Sequence, residues 1–306
     1  MEEGDIPSRK IKARKLKLKP TTEQKLMLNR WAGSVRFLYN KTIALLTNPK
    51  NKTLRSKFRL RNRFATIKNQ KTKKTNSFYN NKPWLKDCPN SVRQGAIYDA
   101  KANLTACFSN LKAKNIDHFD KPFRTKKKER QRGWAFSVEK QNIQKKDDKL
   151  MIFETILGEM KYCGKKQLHK LLPGKKPSID CKIQKTAFGE YFLIIPFVCV
   201  AKPIKSLISK NPVSADPGIR KWLTTYAPNS KESFMIGNRW STIIMSLSIK
   251  LDKLYSQNSK AKREEKRKLK PMILKLRKRI SNLKTEMRNQ SANFLVKRYD
   301  LIVMPK

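Results

Sequence analysis

Acidic residues are scarce in this chain: 23 Asp and Glu stand against 72 Lys and Arg in 306 residues, a net charge of +49. A charge of that size opposes compaction unless a polyanion neutralises it. Phosphate backbones do so with release of condensed counterions. The basic excess runs through the whole chain, which favours a long or enveloping nucleic acid over one small patch. The plainer explanation, a solvated surface, normally mixes both signs.

Cysteine pairs are also lacking. Cys88, Cys107, Cys163, Cys181 and Cys199 are odd in number with no C-x-x-C spacing, and His118 and His169 are the only histidines. A disulfide scaffold and a zinc knuckle are both unsupported, so no zinc site is expected. Reduced thiols fit an intracellular protein, in cytoplasm or nucleus wherever its DNA is. Long apolar runs are missing as well. The longest, 191–201, has 11 residues with Pro196 inside it, against the roughly 20 that a bilayer span needs. The start, MEEGDIPSRK, has no apolar signal core, so neither secretion nor a membrane partner is expected.

What is present reads as a mixed α+β, multidomain chain. Leu16 and Leu18 alternate with lysines and predict a short basic strand over 8–19; a disordered basic arm or an import tract stays open. Thr21-x-x-Gln24 is a capping-box pattern. It predicts a helix over Thr22–Leu46, with Leu28, Trp31, Val35, Leu38, Thr42 and Leu45 on one face. Arg30 and Arg36 fall off that face, where they either meet phosphates or are solvated. Residues 47–82 are rich in Lys, Asn and Thr and predict one short helix between flexible basic loops; a third helix is expected over Ser91–Lys114.

From Asp117 the pattern turns to short strands, expected at 149–153, 159–162, 178–184 and 191–200. With the first strand they suggest a small antiparallel barrel. Lys126, Lys127, Lys128, Arg130 and Arg132 form a basic run before Trp134 and Phe136. Basic charge beside alternating aromatics offers phosphate contacts and stacking. Equally, the run is a hairpin loop and the aromatics are core. The expected organisation is a basic β-barrel from 1–19 plus 117–200, an inserted helical layer at 20–116, a linker at 201–211 and a further domain at 212–306.

That last domain is expected to hold three meander strands, two helices forming a crossover, and a buried strand at Asp300–Met304 returning beside the first. The order is that of the first half of an RNase H-like nuclease core. Asp216, in VSADPGIRKWLTTYAP, ends the first of these strands. Phosphodiester hydrolysis with two Mg²⁺ ions needs several such carboxylates around ions about 3.5–4 Å apart. Asp-Pro-Gly is also an ordinary turn signal. The second carboxylate belongs after the fourth strand, where no acid follows before Lys306; Asp300 sits at the wrong end, and Glu232 and Asp252 have no strand-end placement.

Three stretches carry a family resemblance. ADPGIR with LTTYAP (215–220 and 223–228) resembles the first RuvC motif of the OrfB/TnpB proteins, in the form found in their Fanzor relatives of eukaryotes and large viruses. TTEQKLMLNRWAGSVRFLYN (21–40), with Arg36, Tyr39 and Asn40, resembles their N-terminal helix, and 289–305 resembles the approach to the second RuvC motif. The resemblance implies a wedge-type barrel, a helical recognition insertion and a RuvC domain. It also implies a guide RNA, a DNA target, and Asp216 as first ligand of catalytic Mg²⁺. The second-motif Glu, the third-motif Asp and the Cys-rich zinc finger have no counterparts, so the RuvC domain is expected to be incomplete and the chain truncated or split. The functional expectation is a nucleic-acid-binding relative of a transposon-encoded RNA-guided DNA endonuclease, inactive alone. Its rivals are an Mg²⁺-dependent endonuclease once completed by a missing segment, and a basic protein that coats RNA or DNA.

Overall fold

The computed structural model describes residues 9–48, 50, 56–68, 74–200, 211–218 and 221–305. The predicted linker, but for Asn211, and residues Ile219 and Arg220 of the expected motif lie outside the described residues. The architecture is mixed α+β, in two compact units, Met1–Ala201 and Lys202–Lys306.

The first unit runs β1 (Arg9–Leu18), α1 (Thr22–Leu46), α2 (Lys57–Phe64), α3 (Asn90–Lys112), α4 (Lys126–Arg132), β2 (Gly133–Val138), β3 (Ile143–Lys146), β4 (Lys149–Ile152), α5 (Lys165–Leu171), β5 (Cys181–Thr186) and β6 (Tyr191–Val200). The capping box forms as expected: the Thr21 hydroxyl accepts from Gln24 N at 3.2 Å, and Gln24 Oε1 accepts from Thr21 N at 3.0 Å. The expected apolar face of α1 is the buried one, with Leu28, Trp31, Val35, Leu38, Thr42 and Leu45 all in the interior.

Four strands make one antiparallel sheet in the order β1-β6-β5-β2, and β3 pairs with β4 in a separate hairpin. Segment 159–163 joins the two. Leu18 bridges Tyr162 and Met151 bridges Glu159, while Lys19 N donates to the Lys161 carbonyl at 2.6 Å. The strand expected over 159–162 is thus only a pair of bridges. Tight turns at Phe153 (φ 46°) and Gly158 (φ 66°) confine it. Leu16, Leu18, Phe136, Val138, Ile143, Ile152, Ile183 and Leu193 share one core with α1, where Trp31 meets Phe136 of β2 at 6.4 Å and Phe153, just after β4, at 5.1 Å between centroids.

The basic run 126–132 is a helix, not a hairpin loop. Thr125 caps it, its Oγ accepting from Lys128 N at 3.2 Å, and Lys, Arg, Gln and Glu are all good helix formers. Gly133 then ends it. Phe136 is fully buried, and Trp134 stacks on it at 5.4 Å between centroids. The aromatics of this stretch are core rather than a stacking platform.

A buried arginine ties the helical layer together. Arg93 of α3 is only 3% exposed. Its guanidinium donates to the carbonyls of Ala65 at 3.1 Å and Leu85 at 3.2 Å, and also to that of Cys88. It thereby joins the end of α2 to the start of α3. Replacing it with Met keeps the bulk but removes all three contacts: Tyr79 Oη still donates to the Ala65 carbonyl at 3.1 Å and Cys88 N to that of Leu85 at 3.3 Å, whereas the Cys88 carbonyl loses its charged donor, at a cost of about 1–3 kcal/mol. Arg93→Met is expected to lose about 2 kcal/mol in urea denaturation. A loss below about 1 kcal/mol would show that water or the neighbouring backbone satisfies the Cys88 carbonyl. Burial also pushes the Cys88 and Cys181 thiols up to about 12, so both stay protonated and behave as core residues.

The second unit runs β7 (Pro212–Pro217), β8 (Leu223–Ala227), β9 (Glu232–Ile236), α6 (Asn238–Lys260), α7 (Arg263–Arg298) and β10 (Leu301–Val303). The sheet order is β10-β7-β8-β9, with β10 parallel to β7 and the other pairs antiparallel. This is the expected order of meander, helical crossover and returning strand, but β10 is an edge strand with Leu301 and Val303 exposed rather than the buried strand expected over Asp300–Met304, because it pairs on one side only. α7 carries Pro271 within it: Glu265 Oε2 accepts from Lys262 N at 3.1 Å and sets a first turn ahead of the proline. One sheet face is covered: Val213, Ala215, Leu223 and Ala227 pack with Leu295 and Tyr299.

Candidate functional site

Three places in the fold gather chemistry suited to nucleic acid. The first is a groove along α1. Residues 30, 33, 37, 41 and 44 recur at helical spacing on the side opposite the buried face. They line a cavity of about 960 Å³ together with Arg36, Trp84 and Phe123. Arg30 and Lys41 are exposed, and Trp84 is 45% exposed although its ring contacts Phe37 edge-on at 5.3 Å. Cations beside exposed aromatic faces can hold phosphates and stack bases. Gly33 leaves the groove open, since the space a Cβ would take there holds no side-chain atom nearer than Arg36 Nη2, at 3.9 Å.

The residues that carried the family resemblance on α1 turn out to hold the basic helix in place. Asn40 clamps the Arg124 backbone in both directions: Nδ2 donates to its carbonyl and Oδ1 accepts from its amide, each at 2.8 Å. The Arg124 guanidinium lies 3.8 Å from the Tyr39 ring centroid, and Arg36 pairs with Glu129 of α4. Arg36 is therefore an internal tie, while Arg30 stays exposed. Lys126, Lys127, Lys128, Arg130 and Arg132 are all exposed on α4. At 100° per residue, Lys126, Lys127 and Arg130 lie on one side of the helix. Lys128 and Arg132 lie on the other, where they line a smaller cavity of about 290 Å³ with Trp134.

The second place is chemically the reverse. A cavity of about 700 Å³ between the start of α3 and the β3–β4 region is lined by Ser91, Gln94, Glu139, Gln141, Asn142 and Gln144, among others. Among the described residues lining it there is no Lys or Arg. Burial, and then the nearby Asp180 charge, hold the Glu139 carboxyl above its ordinary range. Amides and carboxylates without cations suit the donor and acceptor edges of bases, not phosphate.

The third is the uncovered face of the second unit's sheet. Asp216 is the penultimate residue of β7 and sits opposite Thr224. It is exposed, on the same face as Ser214, Tyr226, Met235 and Val303. Gly218 serves the hairpin itself: a Cβ there would come within 2.8 Å of the Lys221 carbonyl. Among the described residues, no group of three or more His, Cys, Asp or Glu is arranged to hold a metal ion. One carboxylate and two hydroxyls are a partial donor set for Mg²⁺, short of what a two-metal site needs.

Sequence reasoning singled out Arg30, Arg36 and the α4 cations, and the fold brings Arg30 and Arg36 into one groove. It missed Trp84 and the amide-lined cavity. Trp84 sits in a short turn with no periodicity to mark it, and the cavity collects residues between 89 and 156 from α3, β3, β4 and the turns beside them. No helix among the described residues is long and apolar enough to cross a membrane.

Residues 10–48 match a protein family described as a helix-turn-helix domain of the OrfB/IS605 type. Here that span is the strand β1 followed by the single helix α1. Among curated proteins, the chain is 33% identical over 224 residues to a "Putative transposase" of Paramecium bursaria Chlorella virus 1, covering 73% of this chain and 49% of that protein. It is 23% identical over 308 residues to a TnpB-like protein of Acanthamoeba polyphaga mimivirus, covering 97% and 55%. The chain thus spans about half the length of the curated relatives it matches. Among solved structures, a CRISPR-Cas12f ternary complex aligns with TM-score 0.36 and 14% identity over 94% of this chain and 63% of that one. A Cas12f1–sgRNA–target DNA complex aligns with TM-score 0.45 and 12% identity over 97% and 81%. Both TM-scores are too low to assign a fold.

Proposed function

Because the chain belongs to the OrfB/TnpB family, we propose that it is a transposon-associated nucleic-acid-binding protein that holds a guide-type RNA and DNA, acting in transposition or recombination. The observation that carries this is the α1 groove, where Arg30 and Lys41 stand beside the exposed ring of Trp84, next to the cationic helix α4. Net charge alone would attract any polyanion; aromatic faces set among cations favour single-stranded bases. The amide-lined cavity adds a place where base edges can be read without phosphate.

Trp84→Ala is expected to weaken binding of a single-stranded RNA by about 5–100-fold, the usual worth of one stacked base, and to leave duplex binding nearly unchanged. Fluorescence anisotropy at fixed salt checks this. Equal losses for both ligands would reject the groove as a single-strand site.

We further propose a wedge-type barrel from residues 1–19 plus 117–200 with the helical layer 20–116 inserted, and an RNase H-like (RuvC) core at 212–306. The bridges of segment 159–163 and the β10-β7-β8-β9 order support the two assignments respectively. In that core Asp216 would hold Mg²⁺, which supplies Lewis-acid stabilisation of a phosphodiester when other carboxylates complete the site. Among the described residues no group of three or more such ligands is gathered, so cleavage would need further carboxylates beside Asp216. Asp216→Asn keeps the hairpin and removes the charge. It is expected to abolish a weak Mn²⁺ signal, read by electron paramagnetic resonance, with RNA affinity unaltered. Undiminished Mn²⁺ binding would remove Asp216 from the metal role.

A further inference from the structure

Along the β1–β6 ribbon the inner face changes character. Leu16 pairs with Leu193, Arg14 with Ile195, and Lys12 with Phe197. The first three apolar members, Leu16, Leu193 and Ile195, are buried in the core. Beyond them the same face continues as cations and one aromatic ring, with the Arg14 guanidinium 5.7 Å from the Phe197 centroid. The loop 172–178 folds over this end and closes a cavity of about 530 Å³, whose lining includes Arg14, Lys170, Lys176, Pro173, Pro177 and Phe197. No carboxylate lines it among the described residues.

The cavity is built before any ligand arrives. Lys145 holds the loop from outside, its backbone N donating to the Lys175 carbonyl and its Nζ to the Leu172 carbonyl, each at 2.7 Å. A preformed wall means little ordering cost on binding. Three cations around flat apolar rings combine the chemistry of phosphate contact with that of base stacking. The volume lies within the roughly 300–1,000 Å³ typical of small-ligand pockets, enough for one nucleotide and too little for a stacked pair of strands.

We propose that this cavity receives one unpaired nucleotide of a bound single strand, its base against Phe197 and the proline rings and its phosphates on Arg14, Lys170 and Lys176. The proposal rests on the nucleic-acid-binding function above and gives it a position-specific contact in a cavity that shares no lining residue with the α1 groove. A run of acidic side chains would satisfy the same cations, but carboxylates alone offer no ring to lie on the proline and phenylalanine faces.

Gly174 supplies a clean test. Nothing lies within 4 Å of a Cβ built there, and its backbone is outside the left-handed region, so Gly174→Glu and Gly174→Ser should both fold. The full chain is bound to a 4-thiouridine-substituted single-stranded RNA, irradiated, and its adducts are mapped by mass spectrometry. Adducts are expected on the peptides carrying Phe197 or residues 173–177. Their yield should fall at least about fivefold in Gly174→Glu, where a carboxylate enters the cationic cavity, and persist in Gly174→Ser. RNA bound with adducts only elsewhere, or equal yields in Gly174→Glu, overturns the proposal and leaves the wider function standing. No RNA binding at all overturns both.

Discussion

Replacing Lys126, Lys127 and Arg130 together by Gln is expected to lower affinity for single-stranded RNA by on the order of 10²–10³-fold at 50 mM salt, and to flatten the log–log salt dependence by about 2. Each phosphate contact on a single strand contributes roughly 0.7 to that slope through counterion release, so three contacts give about 2. These three side chains share one exposed side of α4. Glu129, one position away, is turned inward onto Arg36. The companion variant Lys128→Gln, Arg132→Gln lies on the opposite side, beside Trp134, and should change the slope by less than 1. Surface substitutions of this kind alter stability by only about 0.5 kcal/mol, so loss of folding would not mimic the result. Equal slopes for the triple variant and the unaltered chain, within about 0.5, would mean that α4 is a solvated helix and that the phosphate contacts lie elsewhere.

The contrast between those two variants depends on a point the sequence could not supply. The run 126–132 is legible as basic, but its helical phase is not. Seven residues next to a strand give too short a window for periodicity to decide between helix and loop. The decision comes from Thr125 as cap, Glu129 meeting Arg36, and Gly133 as stop, two of which act through tertiary contact. The 25-residue α1 was legible for the opposite reason: a cap, a capping-box partner and five apolar positions with Thr42 on one face all agree. The second unit's strand order was legible because apolar runs separated by turn residues fix it. The covered face of its sheet, carried by Leu295 and Tyr299, could be seen only once the strands were in register. Asp216 was readable as a strand-end carboxylate. Its neighbours on the exposed face, Tyr226 and Met235, come from pairings 10 and 19 residues away in sequence, which local pattern does not specify. The cavities were the least legible. Trp84, Gln94 and Phe197 carry no sequence signal of sharing walls with residues up to about a hundred and eighty positions away.

Whether α4 is held at a fixed angle rather than merely tethered depends on Gly133, and this gives the largest stability effect expected in the first unit. Gly133 ends α4 with φ 86° and ψ −174° and at once enters β2, paired with Thr186 of β5. That backbone region is essentially restricted to glycine, and strain there costs about 1–3 kcal/mol for any other residue. Space adds a second penalty: a Cβ would stand 2.0 Å from the Lys185 carbonyl oxygen and 2.9 Å from Thr186 Cα, both backbone atoms. They cannot yield without opening the β2–β5 pairing. Gly189 separates the two effects, since it has φ 81° but nothing within 4 Å of a built Cβ. Gly189→Ala should therefore show the conformational penalty alone, about 1–2 kcal/mol. Gly133→Ala should lose more than about 4 kcal/mol, a loss confined to mutations with a specific steric or burial cause. Urea denaturation of the full chain, with hydrogen-exchange protection read at amides 134–138, distinguishes them. Gly133→Ala should strip that protection and Gly189→Ala should keep most of it. Comparable losses in both would show that the junction has room to move, and that α4 presents its cations from a hinge rather than from a rigid edge of the sheet.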